Sequence, residues 1–424
     1  MVDAEGHDEA IDDQQTDEPE PTPLLSPAEG VPPVSTTADE IASAADKLAT
    51  GTGPFAVDAE RASGFRYSNR AYLIQIRRTG AGTVLIDPVN HGGSPLDVLK
   101  PLAEVLDDDE WILHAADQDL PCLAEVGLQP PALYDTELAG RLAGFERVNL
   151  AAMVQRLLGL GLAKGHGAAD WSQRPLPAAW LNYAALDVEV LIELRNATAS
   201  LLDEQDKTPW AAEEFEHLRC APSTPTRRDR WRRTSGLHKV RTREGLAAVR
   251  ELWTARDRIA RRRDIAPGRI LPDSAIIDAA LSGATTVEEL IALPVFGGQK
   301  QRKSAHVWLD ALEVARRTDD PPELAEPTSG PPPVMRWSKR KPEAVAYLEG
   351  ARAAISEVSA RVGVPAENLL SPDLVRRLCW DWTPCADTRG AVEAFLRASG
   401  ARDWQRDLVV AALTAALAPD SSTR

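Results

Sequence analysis

The sequence predicts an α/β layer domain built on a mixed sheet, followed by two all-helical modules. Three observations carry that expectation. Short β-type runs crowd the first third of the chain, as "PFAVDAE", "YLIQIRR", "TVLIDP" and "WILHAA". Helical periodicity dominates from about residue 118 to 218. Beyond a basic linker, 241–317 and 335–417 read as helical throughout.

Residues 1–45 are rich in Asp, Glu, Pro, Ser and Thr and poor in aromatics. Such a stretch buries too little apolar surface to offset chain entropy, so it is expected to be a disordered acidic tail. The next unit is placed at 46–218. Its first three β runs are separated by brief polar or Gly-containing stretches, the pattern of a meander. "SPLDVLKPLAEVL" has the Leu96, Leu99, Leu102/Ala103, Leu106 spacing of an amphipathic helix, with Ser94 at its start and Pro101 expected to kink or split it. A fourth strand follows, then helical segments near 118–126, 136–143, 148–158 and 178–203. Three strands, a helix, a strand and more helices make an α/β layer fold.

"APSTPTRRDRWRRTSG" falls in a basic linker placed at 219–238. Helical modules are placed at 239–320 and 335–420, joined by a linker at 321–334. They share a pattern: "RDRIARRRDIAPGRILPD" resembles "RAAISEVSARVGVPAENLLSPD". In each, a helix leads into a turn with Pro, a pair of aliphatics, then Pro-Asp, which suggests two copies of one module.

The net charge of −16 is unevenly distributed. Residues 1–46 hold thirteen acids and no Lys or Arg, leaving −3 for the rest. Between Arg227 and Arg263, fourteen basic residues face four acids. That asymmetry points to a polyanionic partner. Cys122, Cys220, Cys379 and Cys385 form no CxxC pair, which suggests a reducing cytoplasm. No apolar run approaches the ~20 residues of a membrane span, and the acidic start lacks the features of a secretion signal.

The candidate chemistry begins in "FAVDAERASGF". Alternation along a strand points Phe55, Val57 and Ala59 one way and Asp58 and Glu60 the other. Asp119, in "HAADQDL", follows the fourth strand near a helix start, and Tyr183 and Asp187, in "YAALDVEVL", share a helix face. Singly, each has an ordinary explanation: a polar strand end, a helix-start acid, a solvent-facing helix. Together, four carboxylates from separate regions would repel one another unless cations occupied the cluster. Oxygen-only ligands suit Mg2+ or Mn2+, and two such ions can clamp the attacking and leaving oxygens of phosphoryl displacement. Tyr183 would then orient the attacking water. A glycosidase also uses paired carboxylates, but it leaves Asp119, Tyr183 and Asp187 without a role.

The "D-x-E", "H-x-x-x-x-D-L" and "Y-x-x-x-D" patterns resemble motifs I, II and III of the DEDD exonucleases, in the tyrosine subgroup. "VDAERASGFRYSNRAYLIQI", "ILHAADQDLPCL", "LYDTELAGRLAG", "LAKG" and "DWSQRPLPAAWLNYAALDVEVL" resemble the ribonuclease D family in particular, from about Phe55 to Leu202. The two helical modules resemble HRDC domains, the first strongly and the second weakly. The resemblance implies a ribonuclease H-like nuclease domain and two divalent cations, Mg2+ or Mn2+, held by Asp58, Glu60, Asp119 and Asp187. Asp58 would bridge both ions, Asp119 would act through water, and Tyr183 would position the nucleophile. The implied reaction is 3′→5′ hydrolysis of RNA to nucleoside monophosphates, with tRNA or other stable RNA as substrate.

Asp117 also lies near motif II, and the family's frame selects Asp119. His114 has the spacing of a histidine-type third motif but follows a strand, so it is read as a packing or hydrogen-bonding residue near the site. Candidates for RNA contact are Gln75, Phe65, His114, Lys164, Arg227, Arg228, Arg261, Arg262 and Lys300, while His166 is read as a loop residue bordering the site. Gly297 and Gly298 precede a helix start that suits a phosphate or an ordinary turn. With fourteen basic and twenty-five acidic residues in 47–218, RNA grip is assigned to the basic segment and helical modules. An inactive RNA-binding adaptor and a DNA exonuclease are the alternatives; the complete set of acids argues against the first.

Overall fold

The computed structural model describes residues 20–89, 92–163, 165–221, 229–325 and 330–418. The chain opens with β1 (Thr22–Leu24), β2 (Val34–Ser35) and α1 (Ala38–Ala49). These correct the expectation of a disordered tail through residue 45; residues 1–19 lie outside the described residues. Acidic composition conceals an amphipathic helix here. Ile41, Ala44, Ala45 and Leu48 are buried, and Thr37 with Glu40 forms a capping box at the helix start.

The central meander is β3 (Thr52–Arg61), β4 (Ala71–Thr79) and β5 (Gly82–Ile86). The amphipathic segment that follows is split at Leu99 into α2 (Pro95–Val98) and α3 (Lys100–Leu106), because Pro101 cannot donate within a continuous helix. Next come β6 (Trp111–Leu113), α4 (Leu120–Glu125), β7 (Leu133–Asp135), α5 (Thr136–Leu142), α6 (Leu150–Leu158) and β8 (Leu160–Leu162). The expected long helix is two, α7 (Ala178–Glu189) and α8 (Leu191–Glu204), followed by α9 (Thr208–Arg219).

The six-stranded sheet has the order β2-β5-β4-β3-β6-β7. β3 pairs antiparallel with β4 and parallel with β6, and β4 pairs antiparallel with β5. The sheet is therefore mixed, as the sequence suggests, with two further strands too short to show a period. β1 pairs in parallel with β8 in a separate ribbon. One sheet face packs Phe55, Val57 and Ala59 against α1, α3 and α4; the other receives α7 and α8. β3 sits mid-sheet, so both its edges are hydrogen-bonded and its side chains are held firmly.

The first helical module comprises α10 (Arg243–Arg263), α11 (Pro267–Ile270), α12 (Asp273–Ser282), α13 (Val287–Ile291), α14 (Gln299–Lys303) and α15 (Ala305–Arg316). Its core includes buried Trp231, so residues from 229 onward are part of this module rather than of a linker. The C-terminal region comprises α16 (Trp337–Arg340), α17 (Pro342–Val362), α18 (Ala366–Leu369), α19 (Pro372–Asp381), α20 (Thr388–Ala398) and α21 (Asp403–Leu417). Both modules contain, in succession, a 21-residue helix, a four-residue helix and a ten-residue helix.

Both modules dock on the nuclease unit. Asp264 accepts hydrogen bonds from the Ser68 backbone N–H and the Arg70 guanidinium, and Arg269 donates to the Gly64 carbonyl. On the other side Glu214 takes two hydrogen bonds from Arg402 and one from the Trp404 indole, while Trp210 stacks on Trp404. Among the described residues no helix is long and apolar enough to cross a membrane. All four cysteines are free thiols.

Candidate active site

β3 carries Asp58 and Glu60 on the face that meets α7. Gln75 stands opposite Asp58 in the β4 register, fully buried, and its amide nitrogen donates to Asp58 Oδ2. The other Gln75 amide atom, Oε1, is buried without a partner. Gln75 is thus placed against a carboxylate of the cluster.

From α7, Tyr183 and Asp187 reach the same place one turn apart, and the Tyr183 hydroxyl donates to the Asp187 carboxylate. One oxygen each from Asp58, Glu60 and Asp187 lies within 4.8 Å of the others. Asp119 enters from the opposite layer, at the start of α4, and its carboxyl shares a hydrogen bond with that of Asp58. Arg61 Nη2 lies 3.6 Å from Asp119 Oδ1.

The turn into Asp119 is held from β7. Asp135 caps α5 and also accepts hydrogen bonds from the backbone N–H groups of Ala115 and Ala116. Ala115 adopts φ +60°, a conformation that L side chains rarely occupy, so these bonds fix an otherwise costly turn. Burial raises the Asp135 carboxyl to about 6 despite the donors around it. Asp135 is a positioning residue that no local sequence pattern reveals.

Burial and mutual repulsion dominate the site's electrostatics. Burial raises the Glu60 carboxyl to about 10, with Asp58, Asp187 and Asp119 adding to the shift. Asp58, Asp119 and Asp187 are shifted upward as well, burial again being the largest cause. The Tyr183 hydroxyl is held firmly protonated by burial and by the neighbouring carboxylates. A divalent cation at the cluster would offset this repulsion and favour the charged carboxylates. The donor set is oxygen throughout, its oxygens converge, and it suits a hard divalent ion.

Beside the acids lies a cavity of about 270 Å³ bounded by Asp58, His114, Leu162, Gly165, Tyr183 and Asp187, among others. His114 is on its wall. Its Nδ1 pairs with Thr136 Oγ1 at 2.9 Å, and burial lowers its pKa to about 4, which keeps it neutral. The loop after β8 forms the opposite wall. A Cβ on Gly165 would overlap the Tyr183 ring, so only glycine permits that approach. His166 sits edge-on to Tyr183 with ring centroids 5.9 Å apart.

Among the described residues, the remaining RNA-contact candidates are not brought to the acids. Lys164, Arg227 and Arg228 lie outside the described residues. Arg261 pairs with Asp257 and with the Tyr67 hydroxyl, Arg262 is exposed on α10, and Lys300 donates to the Arg269 carbonyl. Phe65 lies beneath the Arg269 guanidinium at 4.1 Å. Arg261 and Phe65 belong to the seam between the first helical module and the β3–β4 loop, and the Lys300 bond lies within the module.

Comparison with known proteins places this geometry in a family. A 3′–5′ exonuclease model matches residues 32–203, an HRDC domain model 245–312, and a 3′ to 5′ exonuclease C-terminal domain model 330–417. Ribonuclease D of Jannaschia sp. (strain CCS1) is 32 % identical over 61 % of this chain and 68 % of its own length. Ribonuclease D of Gluconacetobacter diazotrophicus is 31 % identical over 64 % and 70 %. A crystal structure of a protein from Bifidobacterium adolescentis superposes with a TM-score of 0.82 at 36 % identity, covering 94 % of this chain and all of that one. Escherichia coli RNase D shares the fold, with a TM-score of 0.64 at 24 % identity over 91 % and 98 % of the two chains. With a ribonuclease H-like nuclease domain, an HRDC domain and a helical C-terminal region, the chain belongs to the ribonuclease D family of 3′–5′ exoribonucleases.

Proposed function

We propose that this exoribonuclease trims RNA from a free 3′ end, one nucleoside 5′-monophosphate at a time, with two divalent cations, Mg2+ or Mn2+, at the acid cluster. The observation that carries the reading is the convergence of Asp58, Glu60 and Asp187 oxygens beside a cavity that Asp58, Tyr183 and Asp187 line. Asp58, Glu60 and Asp187 would hold one ion, and Asp58 with Asp119 the other. The chemistry such ions supply when bound is charge stabilisation of the attacking and leaving oxygens.

The chain's own groups do the rest. Tyr183, kept protonated and tied to Asp187, orients the attacking water towards phosphorus. Gly165, by lacking a side chain, leaves the Tyr183 ring room to occupy this position. The water oxygen bonds to phosphorus, the bond to the preceding 3′ oxygen breaks, and that oxygen takes up a proton. The products are a nucleoside 5′-monophosphate and an RNA one nucleotide shorter.

Both helical modules are read as HRDC-type RNA grips, and the natural substrates as tRNA precursors or other stable RNA in the cytoplasm. The repeated helix lengths of the modules support the first point. The basic run 227–263 beside an acidic nuclease unit supports RNA binding there. The test compares 5′-labelled tRNA carrying a 3′ extension with matched single-stranded RNA and DNA, in Mg2+ and in EDTA. The expected result is stepwise shortening of the RNAs in Mg2+ only, lost in Asp58→Asn. Cleavage in EDTA, or activity retained in Asp58→Asn, would overturn it; preference for DNA would overturn the substrate class.

A further inference from the structure

We infer that Arg61 is a built-in counter-cation for the Asp119 side of the acid cluster and sets how tightly the second divalent ion is held; the inference rests on the two-cation reading above. Arg61 ends β3, directly after Glu60. The register of β3 against β4 shifts there, with Glu60 opposite Leu73 and Arg61 opposite Ala71. Irregularities of this kind re-aim side chains at strand ends. The guanidinium comes to 3.6 Å from Asp119, on the layer opposite α7, with side-chain exposures of 23 % and 8 %.

Asp58, Glu60 and Asp187 form a three-oxygen group, and Asp119, joined to Asp58 by a hydrogen bond, is the carboxylate that the Arg61 guanidinium approaches directly, its charge reaching Asp58 and Glu60 as well. Other arginines of this domain are tied down by backbone carbonyls: Arg78 donates to Gly53 and Leu48, and Arg174 to Trp171 and Tyr72. Among the described residues Arg61 makes no such bond, and 3.6 Å is too long for a good hydrogen bond. It is an exchangeable charge pair rather than a structural clamp. A divalent ion between Asp58 and Asp119 must share or displace that guanidinium. Even in the dielectric of water, a unit charge about 6 Å from a divalent ion is worth about tenfold in affinity, and more in a less polar medium.

The test titrates Mn2+ alone, without RNA, into the full chain and into Arg61→Gln, Arg61→Met and Arg61→Lys. Calorimetry reads affinity, electron paramagnetic resonance counts bound ions, and circular dichroism checks each fold. The expected result is two Mn2+ in the wild type, the weaker one tightened about tenfold in the uncharged variants and unmoved in Arg61→Lys. Two ions with affinities unchanged in both uncharged variants would overturn the role of Arg61 alone. So would Arg61→Lys behaving like Arg61→Gln, because shape rather than charge would then decide. A single Mn2+ in every protein would overturn the two-cation reading and this inference with it.

Discussion

Glu60→Gln should stabilise the metal-free protein while removing its response to metal. The Glu60 carboxyl is raised from 4.5 to about 10 by burial and by Asp58, Asp187 and Asp119. Between those values the folded protein binds a proton that the unfolded chain has released, so this group's contribution falls as pH rises through that window. From 4.5 to pH 7 lie about 2.5 units at about 1.4 kcal/mol each, a cost of about 3 kcal/mol at neutral pH. Gln keeps the shape of the protonated acid and escapes the cost. For a unit of this size about 3 kcal/mol corresponds to a rise in Tm of roughly 6 °C or more. In the wild type, Mg2+ at about 100 times its Kd restores a similar amount, about 2.7 kcal/mol. Thermal unfolding followed by circular dichroism, in EDTA and in Mg2+ at pH 5 and pH 7, reads all of this. A Glu60→Gln Tm in EDTA at or below that of the wild type at pH 7 would refute the reasoning. So would a difference that fails to shrink at pH 5.

Three other variants probe the support of the site. Gly165→Ala places a methyl group on the Tyr183 ring, so kcat should fall about 100-fold with Tm little changed; equal kcat would show that the ring is not held there. Deleting residues 1–30 removes the β1–β8 pairing, the Asn182 bond to the Leu25 carbonyl and the Ala28 bond to Glu189, all around α7. It should lower kcat while deletion of 1–19 leaves it unchanged, and equal kcat in both would deny this segment a role. Glu214→Ala leaves the Arg402 guanidinium and Trp404 indole without their acceptor, and should cost about 3 kcal/mol in denaturant unfolding. A loss near zero would mean that the C-terminal region docks through its apolar contacts alone.

What the sequence shows and conceals follows from range. Asp58 and Glu60 are legible because strand alternation fixes their face, and Tyr183 with Asp187 because helix periodicity does. The meander and the Pro101 break are equally local. Asp135 acts by reaching back to the turn before Asp119, and Gly165 by what it lets Tyr183 approach; both depend on tertiary placement. Arg61 is adjacent to Glu60, yet its pairing with Asp119 appears only once α4 is docked. The segment 20–45 misleads because averaging over an acidic stretch hides Ile41, Ala44 and Ala45, which with Leu48 stand at helical spacing in α1. Trp231 misleads likewise, since the arginines around it dominate the composition although its ring is in the core.

The central claim is that Asp58, Glu60, Asp119 and Asp187 form one cradle for divalent cations. Anomalous diffraction from crystals soaked in Mn2+ tests it most directly. The account predicts one peak among Asp58, Glu60 and Asp187 and a second between Asp58 and Asp119. Crystals that diffract well in millimolar Mn2+ yet show no peak within ligand distance of Asp58 would contradict it.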